Sequence, residues 1–557
     1  MEERIREAVG EALANVGVPN VSFAVERPTD MNHGDYATNA ALVAAKQLKR
    51  EPLELASELA GRIEYALGDS VVNVVVAGPG FVNIALSLEA VTSALAEADA
   101  KGALWGRSAR DARKRILIEY GNPNPFKEMH IGHMMGAVVG EAFARLIESG
   151  GAKVARDTFG GDVGPHVAKA IWGLKKAGIT EPATAKEIGK AYAEGARAYE
   201  EDPQAEAEID ALNQALYAGT DQALMSQWAK GREISMEEFR RIWRILGTKF
   251  DFEFFDSDTV ESGMRIVRDG LAKGVFKESD GAVIYDGEAE ENEKRVHTMV
   301  FITSHGTPTY EAKDIGLAFL KEERWPSDRV VVVTANEQTG RFKTVLAALD
   351  KLAPQLAAKT EHVAHGFLRL TSGKMSSREG NIITADGLIR EVMAKALEKN
   401  PDPLIAEQVA VGAIKYMILR QAPGQDIIFD EEKSLSLLGD SGPYLQYALV
   451  RARSVLEKAS QQARADASDA EVQENPYLLE RLVMHFPEVV ARASQERSPN
   501  LLTTYLTELA GEWNSFYAKE RIIGGEHEAR KLLIVRAFAN TMANGLTILG
   551  IPTPDKM

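Results

Sequence analysis

Two short segments carry residue types suited to chemistry on a phosphate. The first reads Glu119-Tyr-Gly-Asn122-Pro-Asn124-Pro-Phe-Lys127-Glu-Met-His130-Ile-Gly132-His133. On a helix, His130 and His133 are one turn apart and share a face. Gly132 between them lets a ligand approach the backbone closely. A helix start there offers free N–H groups and the positive end of a dipole to an anion. Two imidazoles and Lys127 beside that anion could stabilise charge developing on a transferring phosphate. Alone, the pair is equally a surface His-x-x-His or half a metal site, although no cysteine or further clustered ligand supports a metal. The second segment, Gly373-Lys374-Met375-Ser376-Ser377-Arg378-Glu379-Gly380, puts hydroxyls and cations in a glycine-bounded loop. Such a loop suits a mobile phosphate clamp, although alone it reads first as an ordinary solvated basic loop.

The elements that must position these segments follow from hydrophobic patterning. Residues 115–120 (RILIEY) read as a short apolar strand. A helix is expected from Ile131 to Ser149, with Met135, Val138, Val139, Phe143, Leu146 and Ile147 on one side and Gly150-Gly151 as its stop. Residues 153–159 read as the next strand, giving a βαβ unit and a parallel sheet. The first segment therefore leaves the carboxyl end of a strand, where such sheets bind ligands. Residues 330–333 form another apolar strand, between helices at about 310–321 and 339–352. Residues 362–370 read as one further strand, so the second segment also leaves a strand end. The helical, charged stretch 175–250 reads as an insertion.

Before this lies a small α+β unit. Ile5, Val9, Ala12 and Leu13 mark one helical face, further helices cover about 38–49 and start at Pro52, and residues 71–76 and 81–86 form a hairpin across Ala77–Gly80. After about Pro401 only helical patterns remain, at about 443–463, 501–517 and 526–549, with a polar loop at 463–475. The expected fold is a Rossmann-like parallel-sheet α/β catalytic domain at 109–400, with a small N-terminal α+β domain at 1–108 and an all-α C-terminal domain at 401–557.

A chain of 557 residues accommodates these parts, at about 100–200 residues per domain. The absence of cysteine removes disulfides, thiolate zinc sites, iron–sulfur clusters and a cysteine nucleophile. No apolar run reaches about 18 residues, so no membrane span is expected. The N-terminus is a charged amphipathic helix without the apolar stretch of a secretory signal. With 65 Lys+Arg against 81 Asp+Glu, the formal charge is −16, which argues against a general nucleic-acid coat protein. The charge is uneven: residues 441–557 hold 13 Lys+Arg against 14 Asp+Glu, whereas residues 1–440 hold 52 against 67. A near-neutral C-terminal region leaves room for local nucleic-acid patches of modest, salt-sensitive affinity.

Taken together and in this order, the two segments resemble the HIGH and KMSKS elements of class I aminoacyl-tRNA synthetases, here HIGH at 130–133 and KMSSR at 374–378. The resemblance narrows to the arginyl-tRNA synthetases through EYGNPNPFKEMHIGH, GDVGPH (161–166), TYEAKDIG (309–316), SGPYLQYALVRAR (441–453) and the terminal LGIPTPDKM. RPTDMNHGDYATNAA (27–41) and GPGFVN (78–83) resemble that family's N-terminal tRNA-contacting domain. The resemblance implies activation of L-arginine by ATP and transfer of arginine to the terminal ribose of tRNA(Arg). It implies catalytic roles for His130, His133, Lys127, Lys374 and Arg378, and ATP contacts from Asn124, Gly132, Met375, Ser376 and Ser377. It implies an arginine pocket of Glu119, Asn122, Asn124, Tyr310, Asp314 and Gln338, with Tyr310 and Asp314 at the guanidinium. That suits the ligand, because a guanidinium carries five donors and no acceptor. It implies anticodon contacts from the helical C-terminal region, with Tyr444, Tyr447, Arg451, Trp513, Tyr517 and Met557 as candidates. Aromatics at helical spacing are equally core residues. Mg²⁺ is expected with ATP, zinc is not, and a cytoplasmic monomer without membrane contact is the family expectation.

The chain departs from the family pattern in three places. Ser377 replaces the second KMSKS lysine, with Arg378 following. Glu379 stands where a basic residue is common. The usual Gln-x-x-His-Phe is here Gln338-Thr-Gly-Arg341-Phe342, and both Lys127 and Lys374 are present. Other readings fit less well. A cysteinyl enzyme wants thiolate zinc ligands, and glutamyl or glutaminyl pockets want a cation. A simpler HxGH nucleotidyltransferase leaves KMSSR and the helical region unexplained. A catalytically idle tRNA-binding paralogue stays open because of Ser377 and Glu379.

Overall fold

The computed structural model describes residues 1–289, 295–370, 383–461 and 475–557. They form two compact units. One comprises residues 1–107, 448–490 and 505–545; the other comprises 108–447, 491–504 and 546–557.

The first unit holds an antiparallel sheet of β1 (Val25–Glu26), β2 (Tyr36–Thr38), β3 (Val71–Ala77) and β4 (Phe81–Leu86), in the order β1-β2-β4-β3. The expected hairpin is β3–β4. The helix expected to start at Pro52 runs Pro52–Leu67. The long helices Pro499–Lys519 and Glu528–Ile548 supply residues to this unit's helical part. Asp35 is buried in the same unit, where it accepts from the Leu86 N–H (2.8 Å) and from Arg481 Nε (2.5 Å). The polar stretch expected as a loop at 463–475 lies almost wholly outside the described residues.

The second unit is built on a parallel sheet of β5 (Arg115–Glu119), β6 (Lys153–Gly160), β7 (Phe252–Phe255), β11 (Arg329–Ala335) and β12 (Thr360–His365), in the order β12-β11-β5-β6-β7. Chain order runs outward to β7 on one side of β5 and to β12 on the other. The boundary between β5 and β11 is therefore the point where strand order reverses, and a crevice opens at their carboxyl ends. Strands buried on both faces need continuous apolar runs, and Ile116–Ile118 and Val330–Val333 supply them. Leu117, Ala155, Val330, Val332 and Phe342 form one core cluster.

Several short strands escape the sequence reading, among them β1, β2 and β7. β8 (Lys277–Ser279), β9 (Ala282–Tyr285) and β10 (Met299–Ile302) form an antiparallel sheet beside the parallel one. The stretch 362–370 is not one strand. Gly366 breaks it: a Cβ there would lie 2.1 Å from the Gln425 carbonyl oxygen, so the backbones cross too closely for any side chain. After the break, β13 (Leu368–Leu370) pairs in parallel with β14 (Ile427–Phe429). β14 also corrects the expectation that strands end at about residue 401. Runs of three or four residues carry too little periodicity to stand out from loop.

The insertion is helical as expected, with helices Ala185–Glu201, Pro203–Ala218 and Gln222–Ile245. Its core is shared with the segment that follows β5. Phe126 is fully buried in one cluster with Val167, Ile171, Ile188, Ile209 and Leu224. Gly231 makes room for it, because a Cβ at that position would lie 2.4 Å from the Phe126 ring. The Phe126 N–H also donates to Ser235 Oγ (3.0 Å), which holds Phe126 at φ 68°.

Candidate active site

The crevice at the strand-order reversal is a cavity of about 810 Å³. A second cavity of about 970 Å³ opens at the opposite, amino ends of β5, β11 and β12, beside Arg113, Arg329 and Glu361. The parallel-sheet rule places chemistry at the carboxyl end, and the HIGH residues are there.

The helix Ile131–Ser149 begins at His130, which is its N-cap. His130 Nδ1 accepts from the Gly132 N–H at 3.1 Å. This bond uses Nδ1 as an acceptor, so in the neutral ring the proton sits on Nε2. The His130 and His133 rings stack, with centroids 3.6 Å apart and planes at 25°. Burial and the charge of Lys127 hold His130 down to about pKa 4. Burial, then His130, Lys127 and His365, hold His133 well below the ordinary imidazole value. Both rings are therefore neutral at physiological pH. Lys127 does not line the cavity: its ammonium lies 4.6 Å from the Tyr192 ring centroid, and only its field reaches the imidazoles.

The KMSSR residues Lys374, Met375, Ser376, Ser377 and Arg378 lie outside the described residues. The chain on either side of them is described. Leu368 and Ile383 both line the cavity. The Ile131 N–H donates to the Ile383 carbonyl (3.2 Å), the Ala385 N–H donates to the Met129 carbonyl (2.8 Å), and His130 faces Thr384 in a β-bridge. The segment after the loop is thus stitched to the HIGH segment itself.

Three of the four carboxylates lining the cavity, Glu119, Asp256 and Asp314, have a cation from their own chain. Glu119, at the end of β5, is buried and paired with Lys321, which also reaches Asp157 at 2.9 Å. Asp256 follows β7, is paired with Lys313 at 2.6 Å, and is raised by burial to about pKa 6. Asp314, in the first turns of the helix Tyr310–Arg324, is paired with Arg341. Burial raises it to about pKa 6, against the opposing pull of Arg341. Tyr310 is about half exposed at the rim, with the Lys313 ammonium 4.8 Å from its ring centroid. Gln338 accepts from Arg341 Nε at 2.8 Å.

Asn122 and Asn124 line the cavity, but their side chains are engaged in bracing its floor. Asn122 Nδ2 donates to Glu119 (2.7 Å), and its Oδ1 accepts from the Phe159 N–H (2.9 Å). Asn124 Oδ1 accepts from the Gly161 N–H (3.0 Å). They tie the loop after β5 to the end of β6. Sequence reasoning assigned no role to Asp256, Lys313, Lys321 or His365. Asp256 and Lys313 lie 57 positions apart and Glu119 and Lys321 202 apart, so only the closed sheet reveals the pairs. His365 ends β12, is buried, and lines the cavity with Nδ1 at 2.8 Å from the Gly366 carbonyl.

The candidate anticodon residues divide between the units. Tyr444, Tyr447 and Met557 belong to the second unit, where Gln446 Nε2 donates to the Pro552 carbonyl (2.8 Å) and so joins that helix to the C-terminal tail. Arg451, Trp513 and Tyr517 belong to the first. Trp513 offers no face to a base: it is fully buried and stacked on Phe538, centroids 4.7 Å apart. The helical spacing of Trp513 and Tyr517 is a core pattern at the first residue and a surface one at the second. Tyr517 is 37% exposed, with the Arg451 guanidinium 4.5 Å from its ring centroid.

A parallel sheet with a histidine-capped helix at its reversal point, and residues 383–385 bonded beside that cap, defines a Rossmann-like nucleotide-using enzyme of the class I synthetase type. Comparison with known proteins agrees. The family "tRNA synthetases class I (R), catalytic domain" matches residues 91–431, "Arginyl tRNA synthetase N terminal domain" matches 3–86, and "DALR anticodon binding domain" matches 445–557. An arginine–tRNA ligase of Treponema denticola is 29% identical, over 96% of this chain and 94% of its own. One from Flavobacterium psychrophilum is 30% identical, over 80% of each. The solved structure of Thermus thermophilus arginyl-tRNA synthetase matches all of both chains, with a TM-score of 0.81 at 27% identity. The chain belongs to the arginyl-tRNA synthetase family of class I aminoacyl-tRNA synthetases, whose known reaction is the aminoacylation of tRNA(Arg). Among the described residues no group of three or more His, Asp or Glu could hold a metal ion, and no helix is long and apolar enough to cross a membrane.

Proposed function

We propose that the chain joins L-arginine to tRNA(Arg) in two steps within the cavity at the end of β5 and β11. A carboxylate oxygen of arginine attacks the α-phosphorus of ATP, and the bond to the bridging oxygen breaks. Arginyl-adenylate forms and pyrophosphate leaves. The 2′-hydroxyl of the tRNA's terminal ribose then attacks the adenylate carbonyl, giving up its proton, and AMP leaves. The first nucleophile is already an anion at neutral pH, so positioning and charge stabilisation carry the step. In this reading His130 and His133 are neutral donors toward the α-phosphate side, and Gly132 gives ATP close access to the backbone. Lys127 contributes its field. Lys374, Arg378, Ser376, Ser377 and Met375 hold the outer phosphates of ATP, which enters with Mg²⁺ as its substrate complex.

Asp314 and Tyr310 recognise the guanidinium. Gln338, Glu119, Asn122 and Asn124 shape the rest of the arginine site, the last two by bracing its floor and Asn124 also beside ATP. Residues 1–108 serve tRNA contact, 109–400 catalysis and 401–557 the anticodon, with Tyr444, Tyr447 and Met557 as contacts from one unit and Arg451 and Tyr517 from the other. The protein works as a monomer in the cytoplasm. One observation supports this reading most: a single cavity gathers the HIGH helix cap, both flanks of the KMSSR loop and the buried carboxylate Asp314. The test is amino-acid-dependent exchange of labelled pyrophosphate into ATP, with tRNA(Arg) present. Exchange with arginine supports the reading; exchange with another amino acid only, or with none, removes it.

A further inference from the structure

The geometry points to Arg341 as a built-in competitor for the substrate's guanidinium. This inference rests on the reading of the cavity as an arginine site. Two groups assigned there to arginine, Asp314 and Gln338, are both held by Arg341. One terminal nitrogen of its guanidinium donates to Asp314, and Nε donates to Gln338 at 2.8 Å. Arg341 thus makes, from within the chain, the kind of two-pronged contact by which a substrate arginine would be recognised.

Burial explains why the place is filled. Asp314 is almost wholly out of water, and a lone carboxylate there would be costly to keep ionised. Exposure explains why the occupant can leave. Three cavity carboxylates, Glu119, Asp256 and Asp314, each have a cation, but the side chains of Lys313 and Lys321 are only 4% exposed, against 20% for Arg341. The two lysines are enclosed among their partners. Arg341 stands in the first turn of the helix Thr339–Leu352, with one side toward solvent and its guanidinium 4.7 Å from the Phe342 ring centroid. Arginine enters by turning Arg341 out of the pocket and taking its place on Asp314.

The consequence is a threshold. Apparent affinity is the intrinsic affinity multiplied by the fraction of pockets that Arg341 has left. A ligand must match a guanidinium's paired donors to displace one. Lysine's ammonium is a point charge, and citrulline's ureido group is neutral, so both compete poorly with Arg341. The factor is common to every ligand that needs the pocket empty, so Arg341 raises the concentration each requires without changing their ranking.

The experiment uses the full chain with tRNA(Arg) at mildly alkaline pH, and compares Arg341→Met and Arg341→Lys with the parent in pyrophosphate exchange. Thermal melting checks that both variants are folded. For Arg341→Met, the KM for L-arginine is expected to fall by roughly tenfold, the KM for ATP to change less than about twofold, and exchange with L-citrulline relative to L-arginine to stay within about twofold of the parent. Arg341→Lys keeps a cation without the fork and falls between. An unchanged or raised KM for arginine in a folded Arg341→Met overturns the competitor and shows that Arg341 stays beside the substrate. Absence of arginine-dependent exchange in the parent itself removes the underlying reading of the pocket.

Discussion

His130 lies over His133 with ring centroids 3.6 Å apart, and it caps the same helix by accepting from the Gly132 N–H. One ring therefore both terminates the helix and presents Nε2–H away from the cap. The two duties separate by substitution. An asparagine can still cap, whereas an alanine cannot. His130→Asn is expected to melt close to the parent yet lose about 10²- to 10³-fold in kcat, the usual effect of removing a donor to developing charge. His130→Ala loses the same activity and also about 0.5–2 kcal/mol of stability. Equal melting of the two variants would contradict the cap. Because burial holds His130 at about pKa 4, below its unfolded value of about 6.5, its neutral form favours folding. That contribution is complete above about pH 6.5 and is lost as pH falls toward 4, so kcat should show no imidazole step between about pH 6 and 8.

Phe126 connects the insertion to chemistry. It is enclosed by insertion helices, four residues before His130. Gly231→Ala forces its ring to move, since the new Cβ would lie 2.4 Å from it. The expected result is a drop in kcat with a lower melting temperature, although residue 231 touches no substrate. Phe126→Ala removes a buried aromatic, at about 3–5 kcal/mol. Activity lost in proportion to folded fraction alone, read from melting curves and kcat together, would make the insertion a passive support.

Asp314→Asn tests the guanidinium site. The amide keeps the shape and loses the charge, and it leaves Arg341 in the pocket without an anion. The KM for arginine is expected to rise by about 100-fold or more, with the KM for ATP nearly unchanged. Equal changes in both, by steady-state exchange, would place Asp314 outside the arginine pocket.

The sequence foretold the long elements and the strand ends that matter. Ile131–Ser149 and Thr339–Leu352 have the expected bounds, because a full apolar face over fourteen or more residues leaves little ambiguity. Short elements were illegible: β7 has four residues after a charged insertion, and β13 is separated from β12 by Gly366, which shows its purpose only against Gln425. Within the site, HIGH was visible through spacing and resemblance, and Asp314 through resemblance alone. The ion pairs Lys313–Asp256, Lys321–Glu119 and Arg341–Asp314 were not, because these three cations sit on helix faces where a cation ordinarily meets water. Only tertiary closure turns those faces inward.

Lys321 serves two buried carboxylates, Glu119 and Asp157. Burial pushes Asp157 up to about pKa 7, with Lys321 pulling it down and Glu119 adding to the rise. Its folded value lies above its unfolded one of about 3.9, so the stability it contributes at low pH is lost as pH rises from about 4 through 7. Asp157→Asn should therefore melt higher than the parent at pH 8, by a margin that shrinks toward pH 5. Lys321→Met leaves two buried carboxylates unpaired and should cost about 3–5 kcal/mol. A margin independent of pH, in melts of Asp157→Asn across that range, would show that Asp157 does not titrate there.

Trp513 and Tyr517 lie four residues apart on one helix and meet with ring centroids 5.7 Å apart, yet they should fail in different ways. Trp513 is fully enclosed against Phe538, so Trp513→Ala should cost about 3–5 kcal/mol and reduce aminoacylation only as far as the protein unfolds. Tyr517 keeps 37% of its surface, and Arg451 sits over its ring while donating to Asn514 at 3.2 Å. A ring and a guanidinium held together form a platform for an unstacked base, worth about 1–3 kcal/mol per base. Tyr517→Ala should melt near the parent, raise the KM for tRNA(Arg) by about 5- to 100-fold, and leave the KM values for arginine and ATP unchanged. Arg451→Gln should weaken the same interaction and flatten its salt dependence, because one cation no longer reaches the nucleic acid. If Tyr517→Ala changes melting but not the KM for tRNA(Arg), the ring is an outer layer of the Trp513 core and the anticodon surface lies elsewhere on the helices.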